Sequence, residues 1–502
     1  MEYYQYMLRI LGSTIGTLAV TASFAFAIGA SSIHTANAQS RTEVPTIGTA
    51  GGAFMSVERE RLYGEHYLRE IRRIAPIVED PVLKEYLNSV GNRLVRHADN
   101  VQYPFHFFWV RDDSINAFAF LGGNVGMHTG LLLEASDESE MAAVLAHEIA
   151  HVTQRHIARN MERMTAAAPL TIAQMLGGIV VGLINPTLGM AVLSTGIAGA
   201  QQRQINYTRQ FEREADRVGM AALARAGYDP EGAPRFFTKL QSRYRYATQI
   251  PQFLITHPLP ESRIADTRSR AQILGALQLE PALDFELARS RVLVRYTSRA
   301  SRDLLLDFER NERIANHTHK RQAAQYGRAL ALFALEQFDE ANDIIDALIA
   351  IEPFNLFYLD TKTDILLGLE RSDDAVEWLT REYMRRPNNQ VVTLNLAYAG
   401  INAGEYSLVR SILNDYISHN KTDIVAYQML IEMHQKAGNS VAMHEAQAEL
   451  HTLRGNFQMG VEELHSAYAK TSENDESNRQ RIQARIFQLR ALEAERNRVF
   501  DI

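Results

Sequence analysis

Two histidines one helical turn apart, with a glutamate beside the first, can hold and use a metal ion. His147, Glu148 and His151 belong to the segment HEIAH. Asp137 can cap a helix through this segment, with Glu140 reaching back to it. On such a helix both imidazoles point the same way, and Glu148 can polarise a metal-bound water without being a ligand. Because Zn²⁺ lowers the pKa of a bound water to about 7, the pattern predicts a zinc-dependent hydrolase of amide bonds; two structural histidines are the alternative.

A third metal ligand is expected in the acidic segment FEREAD, which contains two glutamates. Glu212 and Asp216 are four residues apart and share one face of a helix, whereas Glu214 lies roughly 200° round from Glu212. If Glu212 binds the metal, Asp216 can orient a histidine ligand or assist proton transfer. Glu214 has no carboxylate one turn away on either side, so Glu212 is the predicted ligand. A solvent-exposed acidic helix face is the alternative.

HEIAH followed further along by EREAD resembles the M48 family of zinc metalloproteases. The resemblance extends over roughly residues 55–275 and includes the segments NAFA and GGNVGM before HEIAH, and THP and RI after EREAD. It implies one zinc ion per chain on His147, His151 and Glu212. Asp216 would be a catalytic residue or the partner of a histidine ligand.

Four further residues are candidates around this site. In M48 proteins with a THP segment, its histidine can bind the zinc ion and displace the catalytic water. His257 is therefore a candidate latency switch, and a loop histidine without such a role is the alternative. Asn116 and Gly126 belong to a predicted hairpin whose exposed strand can pair with an extended substrate, although a plain structural hairpin fits equally well. Gly126 would allow close backbone approach. Arg263 can orient the surroundings of Glu148 or stabilise the oxyanion.

The composition is that of a globular protein with several domains. A chain of 502 residues is too long for one core, so two or three domains are expected. The net charge of −7, without a long basic run, gives no reason to expect binding to nucleic acid. The sequence has no cysteine, which excludes disulfides, thiol catalysis and cysteine-ligated zinc.

The first 38 residues have the pattern of a secretory signal. Arg9 supplies positive charge, residues 10–30 are largely apolar, and Ala-Asn-Ala at 36–38 fits the cleavage rule. We therefore expect export to the periplasm with cleavage after Ala38. An uncleaved membrane anchor is the alternative, since the apolar run is long enough to span a bilayer.

A second apolar stretch covers residues 169–200. Two glycines at 177–178 and Asn-Pro at 185–186 interrupt it, and neither half reaches the length of about 20 residues that spans a bilayer. A buried helical hairpin is one interpretation. The other is a flap over the active site that contacts the membrane surface or an unfolded client.

The C-terminal part carries a repeat. Ala341 and Pro353 recur 34 residues later as Ala375 and Pro387. A 34-residue period of paired helices resembles tetratricopeptide repeats, which stack into a curved solenoid with a concave binding face.

These patterns predict a mainly α (α+β) fold: a zincin-like metalloprotease domain with a small β-hairpin or sheet, followed by an α-helical tetratricopeptide solenoid. The predicted parts are a signal peptide at 1–38, an M48-like zinc metalloprotease domain at 39–275, connecting helices at 276–319, tetratricopeptide-like repeats at 320–475 and a capping helix at 476–502.

An export signal, an M48-like domain and C-terminal repeats together resemble family members that serve outer-membrane protein quality control. The resemblance implies a zinc endopeptidase that assists the assembly of barrel proteins and degrades those that stall. Its partners would be unfolded or stalled outer-membrane β-barrel proteins and the barrel-assembly machinery, the latter bound through the repeats. One alternative is a chaperone or adaptor with a latent or structural zinc site. Another is a membrane-embedded prenyl-protein peptidase, which would require more spanning segments than the sequence offers.

Overall fold

The computed structural model describes residues 55–167, 198–245 and 252–500. The predicted signal peptide at 1–38 and nearly all of the apolar segment at 169–200 lie outside these residues. Among the helices that are described, none has the length and apolar character needed to cross a bilayer.

A three-stranded sheet forms the centre of the N-terminal region (residues 55–274). It consists of β1 (His106–Val110), β2 (Ala117–Phe120) and β3 (Asn124–His128) in the order β1-β3-β2. β1 is parallel to β3, and β2 pairs antiparallel with β3 through a tight turn. Gly122 and Gly123 in that turn have φ of 76° and 80°, left-handed values that glycine adopts without steric strain. The predicted small hairpin is therefore present.

The described helices of the N-terminal region surround this sheet. They are α1 (Val57–Ile74), α2 (Pro81–Val95), α3 (Thr129–Glu134), α4 (Glu138–Thr153), α5 (His156–Ala167), α6 (Ala198–Arg225), α7 (Gly232–Tyr244), α8 (Gln252–Thr256) and α9 (Glu261–Leu274). The almost wholly buried α4 packs against α6, α7 and the sheet. Trp109 of β1 is fully buried and donates a hydrogen bond to the Leu83 carbonyl at 2.9 Å, which ties the sheet to α2.

The C-terminal region (residues 283–500) consists of paired helices. They are α10 (Leu283–Tyr296), α11 (Ser301–Ile314), α12 (Thr318–Ala334), α13 (Phe338–Ile351), α14 (Leu356–Gly368), α15 (Ser372–Arg385), α16 (Gln390–Ala403), α17 (Tyr406–His419), α18 (Ile424–Lys436), α19 (Ser440–Leu453), α20 (Phe457–Lys470) and α21 (Glu476–Phe500).

Helix caps recur along this region at a fixed interval. Asn355, Asn389 and Asp423 lie 34 residues apart and precede α14, α16 and α18. Each side chain accepts a hydrogen bond from a backbone N–H of the first turn, so the same device starts three successive pairs. Ala341 and Ala375, which carry the period in the sequence, are both fully buried. The predicted fold class, mainly α with a small sheet followed by helical repeats, is confirmed.

A buried arginine of α10 joins the two regions. Arg291 Nε donates to Asp80 Oδ2 at the start of α2, and its Nη2 donates to Asp360 Oδ2 in α14, both at 2.6 Å. The Tyr326 hydroxyl lies 3.0 Å from Nη1. Arg291 is 1% exposed, and both carboxylates are buried. Because α2 also packs on α4, these four residues, here called the Arg291 cluster, connect the repeats to the helix that carries HEIAH.

Candidate metal centre

The start of α4 is fixed by side-chain caps. Asp137 accepts a hydrogen bond from the Glu140 backbone N–H at 2.9 Å, as the sequence predicts. Glu140 does not reach back to Asp137, however. Its carboxylate accepts from the Ser136 N–H at 2.8 Å and also binds Lys239. The cap is thus extended one residue upstream and joined to α7, which fixes α4 before the metal motif begins.

His147, His151, Glu212 and His257 each bring one ligand atom into a single cluster. His147 Nε2 lies 3.0 Å from His151 Nε2, 3.3 Å from Glu212 Oε2 and 3.3 Å from His257 Nδ1. The Glu212 carboxylate also lies 3.4 Å from His151 Nε2 and 3.1 Å from His257 Nδ1. Thus α4 supplies two of these residues, α6 supplies one, and the segment after α8 supplies the fourth.

These separations are compatible with a tetrahedral metal site. Four ligand atoms at about 2.0–2.1 Å from a zinc ion lie about 3.3 Å from one another. Five of the six residue pairs in the cluster approach to 3.0–3.4 Å, with either Glu212 oxygen counted, and one ligand atom from each residue lies within 4.8 Å of the other three. Hydrogen bonds alone would require His147 Nε2 to serve three partners at once, which a single imidazole nitrogen cannot do. One cation at the centre satisfies all four atoms, so the residues present fit a metal.

The other nitrogen of His147 faces Asp216. Asp216 Oδ1 lies 3.0 Å from His147 Nδ1, so this carboxylate can orient the imidazole. Arg263 binds Asp216 through Nε and Nη2, both at 2.7 Å, and its Nη1 lies 2.8 Å from Glu212. Arg263 is only 1% exposed, and its Nη1 also donates to the Pro258 carbonyl at 2.8 Å, so it fixes both carboxylates and the segment after His257. The contact of Arg263 with an oxyanion stays a prediction.

Glu148 lies beside the cluster and outside it. Its Oε1 atom is 3.4 Å from His257 Nε2, and its side chain is buried. His257 therefore faces the cluster with Nδ1 and faces Glu148 with Nε2. The His257 ring stacks on Phe253 at 4.9 Å between centroids, and its backbone N–H donates to the Phe253 carbonyl at 2.7 Å. These contacts hold His257 between the two acidic residues Glu148 and Glu212.

The charges of the cluster favour a cation. Burial opposes ionisation of Glu212, but His257, His147 and His151 outweigh it and hold the pKa of this carboxyl well below its usual value. Burial lowers the pKa of His151 to about 4. Burial acts likewise on His147, but Asp216 and Glu212 outweigh it and raise the pKa of His147 to about 10. Glu212 attracts a proton to Nε2 of His147 and attracts a metal cation to the same place, so the metal must displace that proton, whereas the proton on Nδ1 stays with Asp216.

The two hairpin residues predicted to contact substrate differ in their surroundings. Gly126 lies in β3, whose two edges are already paired with β1 and β2, so it has no free edge for a substrate strand. A Cβ atom at Gly126 would come within 2.5 Å of the Phe118 ring and 2.9 Å of the Phe108 ring. The missing Cβ atom of Gly126 thus makes room for these two rings, and its contact with substrate stays a prediction. Asn116 is 1% exposed, and its amide atoms have no hydrogen-bond partner within the described residues, so it stays a candidate for substrate contact.

The sequence reasoning missed two residues next to the cluster. His156 Nδ1 lies 2.9 Å from His151 Nδ1, and Glu214 Oε2 lies 3.3 Å from His156 Nε2. Glu214 is thus a partner of His156 and not a ligand, consistent with the choice of Glu212. A third histidine five residues after His151 was the available signal. That spacing does not predict a contact, because residues five apart on a continuous helix point in different directions. Here the helix ends at Thr153, which allows the two rings to meet.

Comparison with known proteins identifies the family. The profile of peptidase family M48 matches residues 81–271. The chain is 40% identical over 456 residues to the β-barrel assembly-enhancing protease of Escherichia coli (strain K12), which covers 91% of this chain and 93% of that protein. The chain belongs to peptidase family M48. It is also 42% identical over 448 residues to a putative β-barrel assembly-enhancing protease of Vibrio cholerae, which covers 89% and 92% of the two chains.

A more distant similarity is limited to part of the chain. The mitochondrial metalloendopeptidase OMA1 of Arabidopsis thaliana is 30% identical over 176 residues, 35% of this chain and 33% of that protein. The prediction that the chain is an M48 metalloprotease is confirmed by the family match and by the full-length relatives.

Proposed function

We propose that the chain is an exported zinc endopeptidase of the periplasm that acts in the assembly and quality control of outer-membrane β-barrel proteins. The cluster of His147, His151, Glu212 and His257 carries the zinc assignment, because nitrogen and oxygen ligands at tetrahedral spacing suit this ion. The relatives that match nearly the whole chain are named for β-barrel assembly, which supports the same process here. The signal pattern at 1–38 supports export.

In the proposed reaction, Glu148 transfers a proton and Asp216 fixes the orientation of a metal ligand. A zinc ion held by His147, His151 and Glu212 would polarise the scissile carbonyl and activate the attacking water. Glu148 takes a proton from that water and delivers it to the leaving amine nitrogen. Asp216 fixes the orientation of His147, so the ligand geometry is set before the substrate arrives.

His257 is the proposed latency switch. Its Nδ1 takes the fourth corner of the cluster, and its Nε2 lies 3.4 Å from Glu148 Oε1. One imidazole therefore blocks the position of the attacking water and at the same time engages the base. Cleavage requires His257 to withdraw, together with the THP segment at the end of α8.

The helical repeats are the proposed docking region. We read them as tetratricopeptide repeats, because pairs of helices start at 34-residue steps. Their concave surface would receive the barrel-assembly machinery and stalled outer-membrane proteins. The apolar segment 169–200 is proposed to contact the membrane surface or an unfolded client, on the basis of its composition alone.

The variant Glu148→Gln tests the enzymatic proposal. It should abolish cleavage of casein and self-cleavage, while zinc content and circular dichroism stay unchanged, because Glu148 is not a ligand. Glu261→Gln, at an exposed position at the start of α9, is the matched control and should keep full activity. Undiminished cleavage by Glu148→Gln would overturn the assignment of the base.

A chaperone or adaptor with a latent metal site is the second candidate. It is favoured by His257, which fills the fourth corner of the cluster. The two candidates separate in cells that carry Glu148→Gln as their sole copy. Normal assembly of outer-membrane proteins in those cells would favour the adaptor, whereas accumulation of stalled barrel proteins would favour the protease.

A further inference from the structure

His151 has a neighbour that the proposed reaction does not use. Its Nε2 faces the metal cluster, while its Nδ1 lies 2.9 Å from Nδ1 of His156. The other ring nitrogen of His156, Nε2, lies 3.3 Å from Glu214 Oε2. Arg159 Nη1 donates to the same carboxylate oxygen at 3.0 Å. Two imidazoles and a carboxylate thus form a line that begins at a ligand and ends at an ion pair.

The order of protons along this line follows from the metal. A histidine that gives its Nε2 lone pair to a cation carries its proton on Nδ1. The Nδ1–H group of His151 then needs an acceptor, so His156 must present the lone pair of Nδ1 and carry its own proton on Nε2. Ionised Glu214 accepts that N–H. With the opposite tautomer of His156, two N–H groups would face each other at 2.9 Å unless His151 were protonated on Nε2, which would prevent metal binding.

Packing holds His156 in place. Its ring is 3% exposed and stacks on Phe211, with centroids 4.5 Å apart and planes 22° apart. The break between α4 and α5 brings the ring back towards His151, because Arg155 has a left-handed backbone with φ 54°. This conformation is unfavourable for a residue with a side chain. A buried ion pair stabilises it, in which Arg155 Nε donates to Glu60 at 2.7 Å.

We propose that His156 and Glu214 are positioning residues that hold His151 in the tautomer that binds the metal. The inference rests on the proposed zinc site. Asp216 supports His147 by direct contact, so α6 would supply both the ligand Glu212 and the carboxylates that support the two histidines of HEIAH. Neither His156 nor Glu214 touches the metal, yet loss of such partners typically weakens metal affinity by roughly 10- to 100-fold.

Zinc affinity of the purified chain, measured by competition with a chelator, tests this proposal. His156→Phe keeps a ring that can stack on Phe211 but removes both nitrogens, and should weaken zinc binding by roughly 10- to 100-fold. His156→Gln should recover most of the loss, because its amide can accept from His151 and donate to Glu214. His434→Phe replaces a buried histidine of α18 in the repeats and should leave zinc affinity unchanged.

Cobalt(II) provides a second readout, because its visible absorption reports ligand geometry. His156→Phe and Glu214→Gln should both alter the spectrum of the cobalt-loaded chain, and Glu214→Gln removes no buried ring. Tight zinc binding and an unaltered cobalt spectrum in His156→Phe would overturn this inference alone. Equal weakening by His156→Phe and His156→Gln would also overturn it, since packing would then explain the loss. An unchanged chain that binds no zinc would overturn the proposed function as well.

Discussion

Replacing Arg291 by methionine tests the connection between the two regions of the chain. Arg291→Met keeps an apolar stem but removes the positive charge bonded to both Asp80 and Asp360. The Tyr296 hydroxyl still donates to Asp80 at 3.0 Å, but a hydroxyl does not neutralise a carboxylate. Arg295, the other arginine beside this cluster, lies 3.9 Å from Asp360. The variant therefore leaves buried negative charge without its main partner.

The expected loss is large compared with that of a surface pair. Removing one partner of a buried ion pair costs about 3–5 kcal/mol, because the remaining charge is uncompensated. Arg381→Met is the matched control, since Arg381 pairs with Glu377 on the exposed face of α15 and such pairs contribute about 0–1 kcal/mol. With an m-value of about 3 kcal/mol per molar urea, Arg291→Met should lower the unfolding midpoint by about 1–1.7 M.

Acid should relieve part of this loss. In the unchanged chain, burial opposes ionisation of Asp80, but Arg291 outweighs it and keeps the pKa of this carboxyl below its usual value. Without Arg291, burial prevails, and the folded-state pKa of Asp80 should rise above the unfolded value of about 3.9. A raised folded-state pKa gives stability at low pH that is lost as pH rises. The deficit of Arg291→Met should therefore shrink as pH falls from about 7 towards 5.

The two tryptophans report on the two regions separately. Trp109 is buried beside α2, and Trp378 lies in α15 of the repeats. Trp378→Phe leaves Trp109 as the single tryptophan, and Trp109→Phe leaves Trp378, so fluorescence of each variant follows the unfolding of one region in urea. The two transitions should coincide in the unchanged chain, whereas with Arg291→Met the Trp378 transition should move to lower urea and separate from the Trp109 transition. Midpoints equal to those of Arg381→Met would refute the coupling.

Two further predictions concern acid stability and the packing of α4. Burial lowers the pKa of His66 to about 4, and Arg69 and Arg496 add to this effect. The free energy of unfolding should therefore fall by at most about 3 kcal/mol between pH 6.5 and pH 4. His66→Gln should flatten the plot of this free energy against pH over the same range. An equally steep plot for the variant would contradict the assignment. A Cβ atom at Gly219 would lie 3.1 Å from the His147 Cα, so Gly219→Ala should push α6 from α4 and weaken zinc binding roughly tenfold. Unchanged zinc affinity in that variant would show that the contact is not needed.

The parts of the site that the sequence predicted depend on short spacings. The period of the α-helix places His147 and His151 on one face, and the same period separates Glu212 and Asp216 from Glu214. The repeated 34-residue interval likewise indicates paired helices without any knowledge of contacts. In each of these cases the information lies within one element or one repeat.

Contacts between distant elements could not be read in the same way. Arg291 joins Asp80 and Asp360 across 211 and 69 residues, and no local pattern identifies either partner. The sequence offered Arg263 as an oxyanion contact, and its ion pair with Asp216 depends on the packing of α9 on α6, which no local pattern shows. His156 reaches His151 because the left-handed backbone of Arg155 breaks the helix between them. An arginine at this position does not predict such a break.

The zinc content of the purified chain tests the central claim most directly. Elemental mass spectrometry should find one zinc ion per folded chain when the protein is prepared without a chelator. The zinc content of Glu212→Ala should be strongly reduced. The same measurement on Glu148→Gln should again find one zinc ion per chain, because Glu148 is not a ligand. A folded, unchanged chain without stoichiometric metal, or a Glu212→Ala chain that retains all of its zinc, would contradict the account.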